Sequence, residues 1–179
     1  MSEIRTLAVS GTPGVGKTEL CAALERSGLA VLSLRDLAET HDCLGAEDPD
    51  VGASPIDIHA LADAWEFDGD TTTALDGHLS HLMDVDGIIL LRCAPPTLQQ
   101  RLTDRGYDEG KIRSNVEWEM TSGHWSELNE FEVEIPILEV DTTSQSAEDV
   151  AAIVMAWLDD GCKGAPLEEA IRGAIDWLA

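Results

Sequence analysis

Basic residues are scarce in this chain of 179 residues: 11 in all, of which only Lys17, Lys111 and Lys163 are lysines, against 35 acidic side chains, for a net charge of −24. Such a surface repels anionic membranes and nucleic acid, so direct sequence-specific contact with nucleic acid is not expected. The acidity is spread along the whole chain and not gathered in a tail, the pattern of a solvated surface. We expect a halophilic acidic protein in a cytoplasm of very high salt, where the short Debye length screens self-repulsion. There is no C-x-x-C pair among Cys21, Cys43, Cys93 and Cys162, which points to buried free thiols and away from a zinc site or disulfides. No apolar stretch approaches the length of a membrane span, and Ser2-Glu3-Ile4-Arg5 lacks the basic-then-apolar start of a signal peptide, so a cytoplasmic protein is expected. Aromatic residues are only 4% of the chain, and Trp65, Trp118, Trp125, Trp157 and Trp177 read as core or interface residues, not base-stacking platforms. His41, His59, His81 and His124 show no metal-ligand spacing.

What is present suits one folded domain over residues 1–179, with 44% apolar content. Apolar runs at 7–10, 31–34, 71–75, 87–92 and 137–140 read as strands separated by helical patterns, the alternation of a parallel sheet with helices on both faces. The continuous run Gly87-Ile88-Ile89-Leu90-Leu91 is the expected central strand. Ala147 to Leu158 repeats apolar residues at helical spacing, and a last amphipathic stretch follows Pro166. The acidic region from Glu39 to Ser54 reads as a mobile loop.

The chemistry is concentrated in Gly11-Thr12-Pro13-Gly14-Val15-Gly16-Lys17-Thr18, a complete G-x-x-x-x-G-K-[ST] phosphate-binding loop between a strand and a helix. Its backbone N–H groups converge on phosphates, Lys17 reaches the β/γ-phosphates, and the Thr18 hydroxyl suits Mg²⁺. The following helix adds its positive end. Asp76, after the strand at 71–75, fits the carboxylate that holds Mg²⁺ through water, and His78 could orient a water or a substrate phosphate. Asp76-Gly77 is equally an ordinary turn signal, and His78 an ordinary exposed histidine. Arg101 and Arg105, four apart on one helix that Gly106 would end, are a candidate clamp for the transferring phosphate; a solvated face paired with Asp104 or Asp108 fits them as well. Arg35 and Arg92 are further candidates on the substrate side, Arg92 because a strand end points into the crevice where such folds bind ligands.

Together, Gly11 to Thr18, Ser33-Leu-Arg-Asp-Leu37, Asp76-Gly-His-Leu-Ser-His81, Leu90-Leu-Arg92, Arg101-Leu-Thr-Asp-Arg-Gly-Tyr107, Lys111-Ile112 and Asn115-Val-Glu117 resemble the archaeal and nuclear-type small adenylate kinase family, isoenzyme-six type, over residues 4–158. The resemblance implies a P-loop NTPase three-layer α/β fold with a five-stranded parallel sheet, a monophosphate-binding segment at 33–56 and a short lid at 104–114. It implies that Gly14, Gly16, Lys17, Thr18, Glu19 and Arg105 bind ATP, and that Asp76 and His78 act as a Walker-B-like pair. The implied activity is that of a broad-specificity nucleoside-monophosphate kinase, ATP plus AMP to two ADP with Mg²⁺, which also hydrolyses ATP. A role in small ribosomal subunit (30S) maturation through a ribosomal protein of the uS-eleven family is implied as well. The alternative is a ribosome-assembly ATPase acting mainly by nucleotide-driven conformational change. Three departures stand out: Glu19 where a second Thr is usual, an atypical stretch at 120–134, and a helical tail at 161–179.

Overall fold

Every residue of β1 (Thr6–Gly11) and β4 (Gly87–Arg92) is buried, as apolar runs covered on both faces must be. The computed structural model describes residues 4–47 and 54–179 and sets these two strands side by side in the middle of a sheet. All pairings are parallel, in the order β2-β3-β1-β4-β5, with β2 at Ala30–Ser33, β3 at Thr73–Asp76 and β5 at Ile137–Asp141. Among the described residues the helices are α1 (Lys17–Arg26), α2 (Leu34–Thr40), α3 (Ile58–Ala64), α4 (Pro95–Asp104), α5 (Glu109–Met120), α6 (Gly123–Glu130), α7 (Ala147–Asp159) and α8 (Leu167–Arg172). This is the three-layer P-loop α/β fold expected from the sequence.

The period of two along each strand divides the core. Leu7, Val9, Ile89 and Leu91 point to one face, against Leu24 of α1, Leu98 of α4 and Val154 of α7. Ala8, Leu75, Ile88 and Leu90 point to the other, against Leu34, Leu61, Trp125 and Leu128 of α2, α3 and α6. Each fully buried Leu or Ile contributes about 1.5–3 kcal/mol. Local chemistry sets the helix starts: Pro95 and Pro96 open α4, and Ser146 and Asp149 form a reciprocal capping box on α7.

Of the strand ends that differ from the sequence reading, two matter for the site. The strand expected at 31–34 stops at Ser33, because that hydroxyl accepts a hydrogen bond from the Asp36 N–H at 3.3 Å and turns the chain into α2. The strand expected at 71–75 runs on to Asp76, which aligns with Val9 on one side and Ser33 on the other. The Asp76 carboxyl is thus fixed by the sheet.

Since β1 has β3 on one side and β4 on the other, the winding reverses there, and the carboxyl ends of the strands open a crevice. The stretch at 33–56 begins with α2 and ends at an antiparallel bridge between Leu44 and Ile56; the loop expected from Glu39 to Ser54 starts later, since Glu39 and Thr40 end α2, and its residues 48–53 lie outside the described residues. The stretch at 161–179 carries α8, whose Leu167 and Ile171 pack on the second core, and its Ile175 N–H donates to Glu139 Oε2 at 2.9 Å. No helix among the described residues is long and apolar enough to cross a membrane.

Candidate active site

The loop from Gly11 to Thr18 joins β1 to α1, and its glycines are needed where they stand. Gly11 has φ of 144°, and a Cβ there would lie 2.6 Å from the Leu91 carbonyl oxygen. Gly16, at φ of 106°, takes the left-handed conformation that starts α1. Lys17 Nζ reaches back over the loop and donates to the Gly11 and Thr12 carbonyls at 2.7 and 3.1 Å. The ammonium is thereby held at the loop mouth, near Asp76. Burial lowers the Lys17 pKa to about 8, although Asp76 opposes the shift. Burial also raises the Asp76 pKa, and burial together with Lys17 lowers that of His78, so its imidazole is neutral at pH 7. The kcat/KM for ATP is therefore expected to fall above an apparent pKa of about 8, tenfold per pH unit, as free Lys17 loses its proton. The limb in kcat should lie at higher pH, since bound phosphates hold the proton; initial rates from pH 6 to 10 at saturating and limiting ATP measure both.

Two cavities lie at the site, and the first borders the loop itself. One, of about 420 Å³, is lined by Gly14, Gly16, Glu19, Arg101, Arg105 and Thr142. The other, of about 540 Å³, lies across Asp76 and is lined by Ser33, Arg35, Ile56, Asp76, Gly77 and His78. Arg101 and Arg105 do share one helix face, with Arg105 capping α4 and Gly106 turning away at φ of 76°. Both, however, serve the first cavity. Arg101 donates to the Thr142 carbonyl at 2.8 Å and makes long contacts of 3.4 Å with the Gly14 and Val15 carbonyls, so it braces the phosphate loop and does not reach the substrate side. Arg105 meets Glu19 at 3.2 Å, both side chains about half exposed, a pair that contributes little in water. Glu19 is turned outward by this contact. Arg35 alone of the arginines considered borders the second cavity.

Arg92 requires a correction. It is 1% exposed and not in the crevice: Nε donates to Glu119 Oε1 at 2.7 Å and Nη1 to Glu139 Oε1 at 2.6 Å. A guanidinium so desolvated must be paired, and here two carboxylates hold it. Glu119, also 1% exposed, was missed in the sequence because it looks like one more acid among 35. Its carboxylate accepts from Arg92 Nε, the Cys93 N–H at 3.1 Å, Trp177 Nε1 at 3.0 Å and, at 2.7 Å, the hydroxyl of Thr12 in the phosphate loop. One buried acid thus joins the loop, β4, α5 and the C-terminal stretch. The atypical stretch at 120–134 folds as α6 and buries His124, Trp125 and Leu128. Trp65, Trp125 and Trp157 are core residues, whereas Trp118 is 41% exposed, and all four cysteines are buried and reduced.

The family described as an AAA domain matches residues 7–122, which span the phosphate loop, Asp76, Arg101 and Arg105. A protein of Archaeoglobus fulgidus named "Putative adenylate kinase" is 36% identical over 173 residues, covering 97% of this chain and 92% of the relative. Proteins of the same name from Pyrococcus furiosus and Halobacterium salinarum are each 38% identical, over 96% and 86% of this chain and 90% and 89% of their own. The chain belongs to the archaeal adenylate kinase family. Solved structures agree on the fold: a gluconokinase from Sinorhizobium meliloti (TM-score 0.57, 14% identity, 90% of this chain and 95% of that one) and a deoxyadenosine kinase from M. mycoides (TM-score 0.52, 13% identity, 87% and 98%). Within this family fold, Thr18 and Asp76 offer a hydroxyl and a carboxylate at the loop mouth, hard oxygen donors of the kind Mg²⁺ takes.

Proposed function

We propose that this chain is a nucleoside-monophosphate kinase that moves the terminal phosphoryl group of ATP to AMP, giving two ADP. The observation that carries the reading is that the phosphate loop borders one cavity while a second is lined by Asp76 and His78, two groups that interact electrostatically with Lys17. ATP occupies the first cavity, its phosphates on Gly14, Gly16, Lys17 and Thr18, with Arg105 in the lid at 104–114 exchanging Glu19 for phosphate oxygens. The monophosphate occupies the second, with Arg35 in the segment 33–56 on its phosphate. The names of relatives and the resemblance of motifs favour adenine nucleotides.

An oxygen of the acceptor phosphate attacks the γ-phosphorus and the bond to the β–γ bridging oxygen breaks, leaving ADP on each side. The acceptor is already anionic, so no general base is required, and the protein's work is positioning and charge stabilisation. Lys17 faces the charge that develops on the moving group, and Arg105 covers it from the lid side. Mg²⁺, held by Thr18 and through water by Asp76, would neutralise charge on the β- and γ-oxygens.

A second reading is an ATPase linked to ribosome maturation, with ATP turnover driving a change in a bound ribosomal protein of the uS-eleven family. It is favoured by His78, which lines the second cavity beside Asp76 with its pKa lowered, where it can orient a water in place of the acceptor. The acidic surface would also attract a basic protein. Coupled assays separate the two. ADP formation from ATP and Mg²⁺ is expected to depend on AMP, with little phosphate released in its absence. No ADP formation with AMP, together with phosphate release that a basic ribosomal protein stimulates, would select the ATPase.

A further inference from the structure

His81 and His124, far apart in the chain, meet edge to face with ring centroids 5.7 Å apart, against Ser10 and Thr12 at the root of the phosphate loop. Glu127, one turn along α6 from His124, lies with Oε2 at 2.7 Å from His81 Nε2. One donor atom of each of the three side chains lies within 4.8 Å of the other two. Both imidazoles are buried, at 4% and 6% exposure.

Counting protons shows what this cluster lacks. Thr12 has one hydroxyl proton, and the Glu119 carboxylate at 2.7 Å takes it. The His124 Nε2 contact with Thr12 Oγ1, at 3.5 Å, must then run from ring to hydroxyl, which leaves Nδ1 with a lone pair. That Nδ1 is buried and has no hydrogen-bond partner. His81 stands between two oxygens: Ser10 Oγ lies 2.7 Å from Nδ1, and Nε2–H donates to Glu127 Oε2 at 2.7 Å, so this ring carries the one proton that a metal ion would displace. One orphaned lone pair beside a buried imidazole–carboxylate pair is an arrangement that a positive centre completes, taking the place of the His81 Nε2 proton.

We propose that His81, His124 and Glu127 bind one borderline divalent cation, Zn²⁺ or its chemical equals, at a site separate from the Mg²⁺ position at Thr18 and Asp76. Two neutral imidazoles and a carboxylate with one position open form a donor set that Zn²⁺ takes and that Mg²⁺ and Ca²⁺, which prefer oxygen throughout, do not. Metal–ligand bonds of about 2.0–2.2 Å place tetrahedral donors about 3.3–3.6 Å apart. The His81 to Glu127 contact would open by about half an ångström or a little more and His124 would close by an ångström or so, movements within side-chain reach. Ser10 and Thr12 supply the outer hydroxyls that orient metal-bound imidazoles. Burial holds His124 neutral, its pKa down to about 3, so no proton competes for its lone pair. Since Ser10 and Thr12 flank the start of the phosphate loop, the ion would fasten α6 to the loop.

The test uses the whole chain, stripped with chelator and titrated with Zn²⁺ by calorimetry, with Co²⁺ as a spectroscopic probe. One Zn²⁺ per chain is expected, raising the melting temperature, and Co²⁺ should show the visible bands of a four- or five-coordinate site. His124→Ala and Glu127→Gln should each weaken Zn²⁺ binding at least tenfold, while His59→Ala, an exposed imidazole, and Asp76→Asn leave it unchanged. Glu127→Gln keeps the side-chain shape and decides the matter if His124→Ala does not fold. Absence of stoichiometric binding, equal affinity in Glu127→Gln, or loss of binding in Asp76→Asn would each overturn the proposal.

Discussion

Replacing Lys17 by alanine is expected to lower kcat/KM for ATP plus AMP by roughly 10²- to 10³-fold while leaving the protein at least as stable as before, within about 1 kcal/mol. The two halves of this result share a cause. The folded-state pKa, about 8, is below the ordinary lysine value of 10.5 because burial disfavours the ammonium. A lysine so shifted destabilises the folded state wherever it is charged in both states, at every pH below about 8. The penalty is relieved as pH rises from about 8 to 10.5, where the folded protein gives up the proton first. Alanine has no such penalty, though it also forgoes two hydrogen bonds to loop carbonyls. In the proposed mechanism activity falls because the positive charge that meets the moving phosphoryl group is gone, the usual opposition between site chemistry and stability. Denaturant midpoints beside coupled ADP assays measure both; a variant that keeps activity would remove Lys17 from the transition state.

Glu119→Ala should have the opposite signature, a loss of about 3–5 kcal/mol of stability. The substitution strands Arg92, 1% exposed, with Glu139 as its remaining carboxylate, and deprives Thr12, Trp177 and the Cys93 N–H of an acceptor. Salt should do little to rescue it, because a buried pair is poorly screened, whereas the exposed Arg105–Glu19 pair is weakened by the same salt. Glu119→Gln, which keeps acceptor oxygen but not charge, should fall between. Urea unfolding at low and high KCl distinguishes these cases. Since Thr12 loses its tether, ATP affinity should fall in whatever fraction remains folded.

The contrast between Lys17 and Glu119 also marks what a reader of the sequence can reach. Lys17 sits in eight contiguous residues whose spacing is its own context, and the flanking apolar run and helical pattern supply the strand and helix that the motif requires. The sheet was legible for the same reason: the continuous apolar run at 87–91, buried on both faces, is written locally. Strand ends were less so, because Ser33 stops β2 through a side-chain bond and Asp76 is carried into β3 by pairing on both sides. Arg101 and Arg105 were rightly placed on one helix face, but the cavity they serve depends on what that face packs against.

By itself, then, the sequence determined that the chain is an α/β phosphate-loop protein of the adenylate kinase type with an acidic surface, since these follow from contiguous motifs, local periodicity and charge count. Only the tertiary structure decided which charges are spent inside: it took Arg92 from the crevice into the core, singled out Glu119 from 35 acids, and brought His81, His124 and Glu127 together. The reason is desolvation. A charge or lone pair acquires its energetic weight from what surrounds it in space, and partners 27 to 47 residues apart leave no local trace.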